Sequence, residues 1–233
     1  MRPVAVASLL LGAALAVSGC ATSLNKLSSA EIASLRIVDV DIRYASNSRI
    51  RWHNAKHDYL RQPAVAAEVQ RVARKAEKED AFEQGESAAQ NTVMNSPEAK
   101  AYMRKRLSAL IETHLAKDVL PRYQGTRPVR LEVTVHGFFI PSPVARVVVG
   151  GSPTFAAITV LKDAGTGAEL AKLDRLAAGY AGAGLLGVAL DQAGADLEDR
   201  VLKVYTANIQ RWLKAPSSGR RRADLSGGQG ANL

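Results

Sequence analysis

The sequence predicts an α+β fold: a two-layer domain in which a mostly antiparallel sheet carries helices packed on one face. Three features point there. Residues 38–44 and 131–140 alternate apolar and polar side chains, the period of a half-buried strand. Segments following Ser96 and spanning 197–213 repeat apolar residues at helical spacing, and Asp163-Ala164-Gly165-Thr166-Gly167 separates two apolar runs as a turn. At 233 residues and 47% hydrophobic, the chain can bury an ordinary core, and a single domain over 35–215 is the simplest division.

In chain order, Val38, Val40, Ile42 and Tyr44 define the buried face of a first strand, while Asp39, Asp41 and Arg43 point outward. Ser46–Gln62 is polar and aromatic and is expected to be a loop. Pro63 suits the first turn of a helix with Val65, Val69, Val72 and Ala76 inward, ending near Gly85. Ser96 is an N-cap for a helix opened by Pro97 and Glu98, with Met103, Leu107, Leu110, Ile111 and Leu115 on one face and Pro121 as its stop. Leu131, Val133 and Val135 begin a strand that runs to Ile140 before Pro141. Val147–Val149 is expected to be a short strand, and Phe155–Lys162 with Leu170 and Leu173 a hairpin across the Asp163–Gly167 turn. A closing helix places Leu197, Val201, Val204, Tyr205, Ile209 and Leu213 together, and 216–233 is a basic, Gly/Ser-rich tail expected to be disordered.

The N-terminus specifies an address. Met1-Arg2-Pro3 is weakly positive, Val4–Val17 is uncharged and apolar, and Ser18-Gly19-Cys20 closes the run with small residues. The apolar run falls short of the roughly 20 residues needed to cross a bilayer, so cleavage is the expected outcome. Val17-Ser18-Gly19-Cys20 resembles the lipobox of bacterial lipoproteins. That resemblance implies cutting before Cys20, a signal peptide over 1–19, and acyl chains on the sulfur and amine of Cys20. Ala21–Ser34 carries Ser, Thr, Asn and Lys with scattered apolar residues, so 20–34 is expected to be a lipidated N-terminus and short tether. An ordinary secretory signal cut near Ala16 or Ala21 is the alternative. Ala21 in place of an aspartate leans the sorting toward the outer membrane, with the domain facing the periplasm. Cys20 is the sole cysteine, so no disulfide is available to staple the fold.

Formal charge is +9, from 31 basic against 22 acidic residues. In an envelope compartment the polyanions at hand are lipid head groups and surface or wall polymers, which places them ahead of nucleic acid as partners. The stretch from Ile37 to the closing helix is similar to small uncharacterised proteobacterial lipoproteins, in Arg49-Ile50-Arg51-Trp52, Leu131–Phe139, Gly150-Gly151 and Asp163–Gly167. The longer helical insert from Gln62 to Leu120 departs from the shorter members. The resemblance implies a location and leaves the chemistry open. The expected role is a non-enzymatic accessory or binding component held to membrane lipid through Cys20, with an envelope protein as partner and no cofactor.

The chemistry-bearing candidates are few. Asp39 and Asp41 share a strand face, as paired carboxylates must for acid/base work, but two acids on a solvent face are usually just hydrated. His53 and His57 would share a helix face at a spacing that can bind zinc, with no third ligand evident and no H-E-x-x-H pattern. A periplasmic hydrolase would need these four residues in one cleft. His114 lies between core positions, and His136 is expected to face solvent. Gly182–Gly187 matches G-x-G-x-x-G but lacks the second strand and the acid that a dinucleotide site requires. The surrounding uncharged run, Ala177–Leu190, reads as a close-packed connection or as the contact of a membrane-associated oligomer. Ser152 belongs to a turn, and Arg220-Arg221-Arg222 to the tail. Cys20→Ser is expected to abolish incorporation of labelled fatty acid and leave uncleaved precursor, because the chain has no other thiol. Label still entering the variant would refute the anchor.

Overall fold

The structure is a computed structural model, and it describes residues 23–25, 27–77, 85–148, 151–179 and 197–214. Five strands form one sheet among these residues: β1 (Ser23–Asn25), β2 (Leu35–Trp52), β3 (Arg127–Ile140), β4 (Thr154–Asp163) and β5 (Glu169–Gly179), in spatial order β1-β5-β4-β3-β2. Every neighbouring pair is antiparallel except β2 and β3, which run parallel. The fold is α+β with a mostly antiparallel sheet, as expected. Its parallel pair requires a long crossover, and α2 (His53–Leu60), α3 (Pro63–Glu77), α4 (Gly85–Met94) and α5 (Pro97–Asp118) supply it.

The alternation read from the sequence sets the burial. On β3, Val129, Leu131, Val133 and Val135 are buried, and on β4 so are Phe155, Ala157, Thr159 and Leu161. Against this face lie α5, through Met103, Leu107, Ile111 and Leu115, and the closing helix Leu197–Lys214, through Val201, Leu202, Tyr205, Ile209 and Leu213. Tyr205 is enclosed, and its hydroxyl meets Thr159 Oγ1 at 2.7 Å, so this buried polar pair is satisfied internally. Burial pushes the Tyr205 phenol well above its ordinary pKa and keeps it neutral. The opposite sheet face is ionic: Asp39 pairs with Arg130 at 2.7 Å, and Glu132 with Lys162 at 2.7 Å. A second, smaller apolar cluster joins Tyr59, Val69, Ala89, Val93 and Ala99 within the crossover.

Several expectations change. Val38, expected on the buried face of the first strand, is 51% exposed, because the register shift between Ile37 and Asp39 leaves it out of the pairing with β3. The loop assigned to Ser46–Gln62 is instead the second half of β2 followed by α2. Strand pairing resumes because a bulge absorbs the polar residues: Tyr44 pairs with Val135 and Arg49 with Gly137, so β2 takes five steps where β3 takes two. The strand expected at Val147–Val149 is replaced by α6 (Pro143–Val148), since Pro143 opens a helix readily and Ser142 Oγ accepts from Ala145 N at 3.1 Å. The helix from Pro63 ends at Glu77 before the separate α4, with 78–84 outside the described residues.

The stretch expected to be a free tether is also part of the fold from Ser23 onward. β1 pairs with β5, Asn25 Nδ2 donates to the Trp212 carbonyl at 2.9 Å, and Leu27 is buried. α1 (Ser29–Ser34) follows, held by a capping box in which Ser28 and Glu31 exchange hydrogen bonds. Gly125 seats this helix end: a Cβ there would lie 2.2 Å from the Ser34 carbonyl oxygen, so no side chain fits without moving backbone. Asn25→Ala should therefore cost about 1–3 kcal/mol, by stranding buried backbone groups. Urea unfolding reads this directly, and an unchanged midpoint would return residues 23–34 to the status of a tether.

Candidate functional site

A cavity of about 850 Å³ opens where β2 runs into α2. Its walls come from four regions: the end of β2, the start of α2, the facing ends of α4 and α5, and the segment leading from β3 into α6. The sequence folds this way locally because the β2 bulge restores alternation. Ile50 and Trp52 turn inward to the core, and Arg49 and Arg51 turn outward at the sheet's edge. On α5, Lys100, Arg104 and Ser108 recur every fourth residue, flanking the buried stripe Ala99, Met103 and Leu107. The Tyr44 hydroxyl donates to the Arg104 carbonyl at 2.7 Å and contacts Ser108 Oγ at 3.0 Å, which fixes that helix against the strand.

The lining is strongly one-signed. Arg49, Arg51, Lys56, Lys100 and Arg104 contribute to it, and no aspartate or glutamate does. Among the described residues none of the five pairs with a carboxylate, whereas Arg43, Arg71, Arg106, Arg127 and Arg130 all do. The Arg104 guanidinium rests 5.3 Å above the Tyr44 ring, a contact that holds it in place without neutralising it. At the mouth of α2 the N-cap is Trp52, whose side chain caps nothing, so the first-turn N–H groups lack a side-chain acceptor beside Lys56. The Ser48 hydroxyl in the same wall is enclosed and has no partner.

The floor is apolar and backed by a chain of aromatic contacts. Trp52 meets Phe138 edge-on at 5.2 Å, Phe138 meets Phe155 at 6.1 Å, and Phe155 meets Tyr205 at 4.7 Å. Trp52 Nε1 donates to Glu198 Oε1 at 3.2 Å, and Arg106 lies 5.2 Å over its ring while pairing with Asp58. A shallower cavity on the other side of the β2 edge shares Arg49 and Arg51, together with His136 at a β3 bulge. His136 was expected to face solvent and is half-buried instead, with Nε2 enclosed and unpartnered.

The four residues a hydrolytic centre would have to gather are not brought together. Asp39 is paired with Arg130, and Asp41 with Arg43, on the ionic sheet face. His53 and His57 do share a face of α2, with ring centroids 4.5 Å apart, but only His53 lines the cleft. Among the described residues no set of three His, Cys, Asp or Glu is arranged to hold a metal. His114 sits buried between α5 and α7 (Leu197–Lys214), with Nε2 2.9 Å from Asp199 and Nδ1 3.7 Å from Asp118. Ser152 is exposed ahead of β4. Val17–Cys20, Gly182–Gly187 and Arg220–Arg222 lie outside the described residues. Reasoning from sequence missed the cleft cations. The alternation Arg49-Ile50-Arg51-Trp52 was the available signal, hidden by a bulge that resets the register just before it.

Burial, then the positive charge of His57 and Lys56, pushes His53 below the ordinary histidine pKa. The neutral ring is therefore favoured in the folded chain. Stability should be insensitive to His53 above about pH 6.5 and fall as pH drops below that value through the folded pKa, where the unfolded chain binds the extra proton. NMR titration should place His53 below about 6.5, and His53→Gln should flatten that part of the acid limb. A His53 midpoint above 6.5 would mean that an acid, not a cation, dominates the site.

A model described as a family of unknown function (DUF6778) matches residues 96–227, from the N-cap of α5 through α7. The match takes in Lys100 and Arg104 but not the β2 and α2 walls of the cleft. No curated protein and no solved structure matches the chain. With more than half of its length matched, the chain belongs to this family of unknown function.

Proposed function

We propose that the protein is a lipid-anchored, periplasm-facing envelope lipoprotein, placed at the outer membrane, whose domain binds an anionic partner through the cleft at the end of β2 and performs no chemistry of its own. The observation that supports binding is the set of five cations, Arg49, Arg51, Lys56, Lys100 and Arg104, gathered around one cavity without a compensating carboxylate. Like charges held together repel, so such an arrangement costs stability unless an anion occupies it, and a walled cleft focuses the resulting potential. Arginine forks at the rim suit planar or tetrahedral oxyanions. Support for the anchor comes from Val17-Ser18-Gly19-Cys20. The described helices include none long and apolar enough to cross a membrane.

Inorganic pyrophosphate is a suitable probe of the cleft. Saturating the full chain, solubilised in neutral detergent, to 100 times the dissociation constant should add about 2.7 kcal/mol of stability and raise the melting temperature by several degrees. Arg51→Gln with Arg104→Gln should erase that rise, while Arg130→Gln on the ionic sheet face should keep it. A wild-type protein indifferent to pyrophosphate, or a double variant that responds equally, would overturn the binding reading.

A further inference from the structure

Resting on that anion-binding reading, we propose that the ligand of the cleft is a lipid with a net-anionic phosphate head: the rim cations take the head and the apolar floor takes the first part of its chains. A free anion would use only half of what the cavity offers. Below the cationic rim the lining is Trp52, Met94, Met103, Phe139 and Ile140, a surface that gains nothing from phosphate and much from hydrocarbon. The volume, about 850 Å³, is in the range of small-molecule sites and exceeds what a bare oxyanion fills.

A helix in the cleft wall also presents apolar surface. α6 contributes Ala145 to the wall, and on the same helix Val144 and Val148 are 70% and 75% exposed. Apart from Val38 on β2, they are the exposed large aliphatic side chains of the described residues, and one turn apart they share a helix face. Exposed apolar side chains on a wall helix of a cationic cleft suit a ligand that carries hydrocarbon as well as charge. The first turn of α2, where the N-cap side chain makes no capping bond, lies at the same wall and adds the positive end of a helix dipole. The non-bridging oxygens of a phosphate diester can accept from guanidinium forks on the rim.

The test uses the full chain in phosphatidylcholine nanodiscs, with Trp212→Phe so that fluorescence reports Trp52 in the cleft floor. Dihexanoyl phosphatidylglycerol should perturb Trp52 and bind at least about tenfold more tightly than glycerol phosphate, since each methylene fully buried is worth about a fourfold gain. Dibutanoyl phosphatidylglycerol should fall between them. Dihexanoyl phosphatidylcholine, whose choline opposes the rim, should bind far more weakly, and Arg51→Gln with Arg104→Gln should weaken phosphatidylglycerol by more than about tenfold. Glycerol phosphate binding as tightly as the lipid would overturn the lipid and leave an anion site standing. Phosphatidylcholine binding as tightly as phosphatidylglycerol would overturn the anionic head. If neither phosphatidylglycerol nor pyrophosphate is bound, the anion-binding reading falls as well.

Discussion

Trp52 is the residue on which the arrangement turns. It ends β2, stands at the N-cap of α2, packs edge-on against Phe138 of β3 and donates its indole N–H to Glu198 at the start of α7. Two strands and two helices thus meet at one side chain. Because the ring is buried while Arg106 covers one face of it, the chain's change of direction from strand to helix happens in a fixed place. Everything that lines the cleft is measured from that corner. The cost of such a corner is a buried carboxylate, and Glu198 retains one oxygen without a protein partner. Its place in the first turn of α7, where the helix dipole favours negative charge, offsets part of that cost.

The parallel pair β2 and β3 explains why a cleft exists at all. Antiparallel neighbours can be joined by tight turns, as β4 and β5 are by Asp163–Gly167, where Gly167 at φ 72° closes the turn and Asp163 accepts from Gly165 and Thr166. A parallel pair cannot, so the crossover through four helices must leave the carboxyl end of β2 and return to the amino end of β3. The β2 end, the α4–α5 junction and α6 are left facing one another across a gap. β2 is also the edge strand of the sheet; its start is covered by Tyr123–Gly125, and beyond Ile37 no further strand pairs with its outer side among the described residues. Its large bulge and its outward charges oppose edge-to-edge pairing with another chain, and the same bulge aims Arg49 and Arg51 at the cavity rim.

The two long helices are joined by a polar seam as well as by apolar packing. Asp118, near the end of α5, has its carboxylate met by the Thr206 hydroxyl at 3.2 Å and its carbonyl by Gln210 at 2.6 Å, with His114 and Asp199 one turn away. Directional bonds of this kind pick one sliding position of α7 over α5, where aliphatic contacts alone would tolerate several. Since α5 carries Lys100 and Arg104 and α7 carries Glu198 beneath Trp52, that choice sets the cleft's cations relative to its floor.

Much of this was legible in the sequence wherever the determinant is local. The α+β class, the alternation of β3 and β4, the Ser96 cap of α5, the turn at Asp163–Gly167 and the closing helix all follow from periodicity and capping within a few residues. What only the tertiary structure decided depends on partners distant in sequence. β2 continues past its polar interruption because β3 supplies hydrogen bonds on the far side of the bulge, and 23–34 joins the fold because β5, Trp212 and Gly125 receive it. The cleft itself is the clearest case. Arg49 and Arg104 are ordinary surface residues in sequence, and they become a site because a parallel crossover brings separate segments of like charge around one cavity.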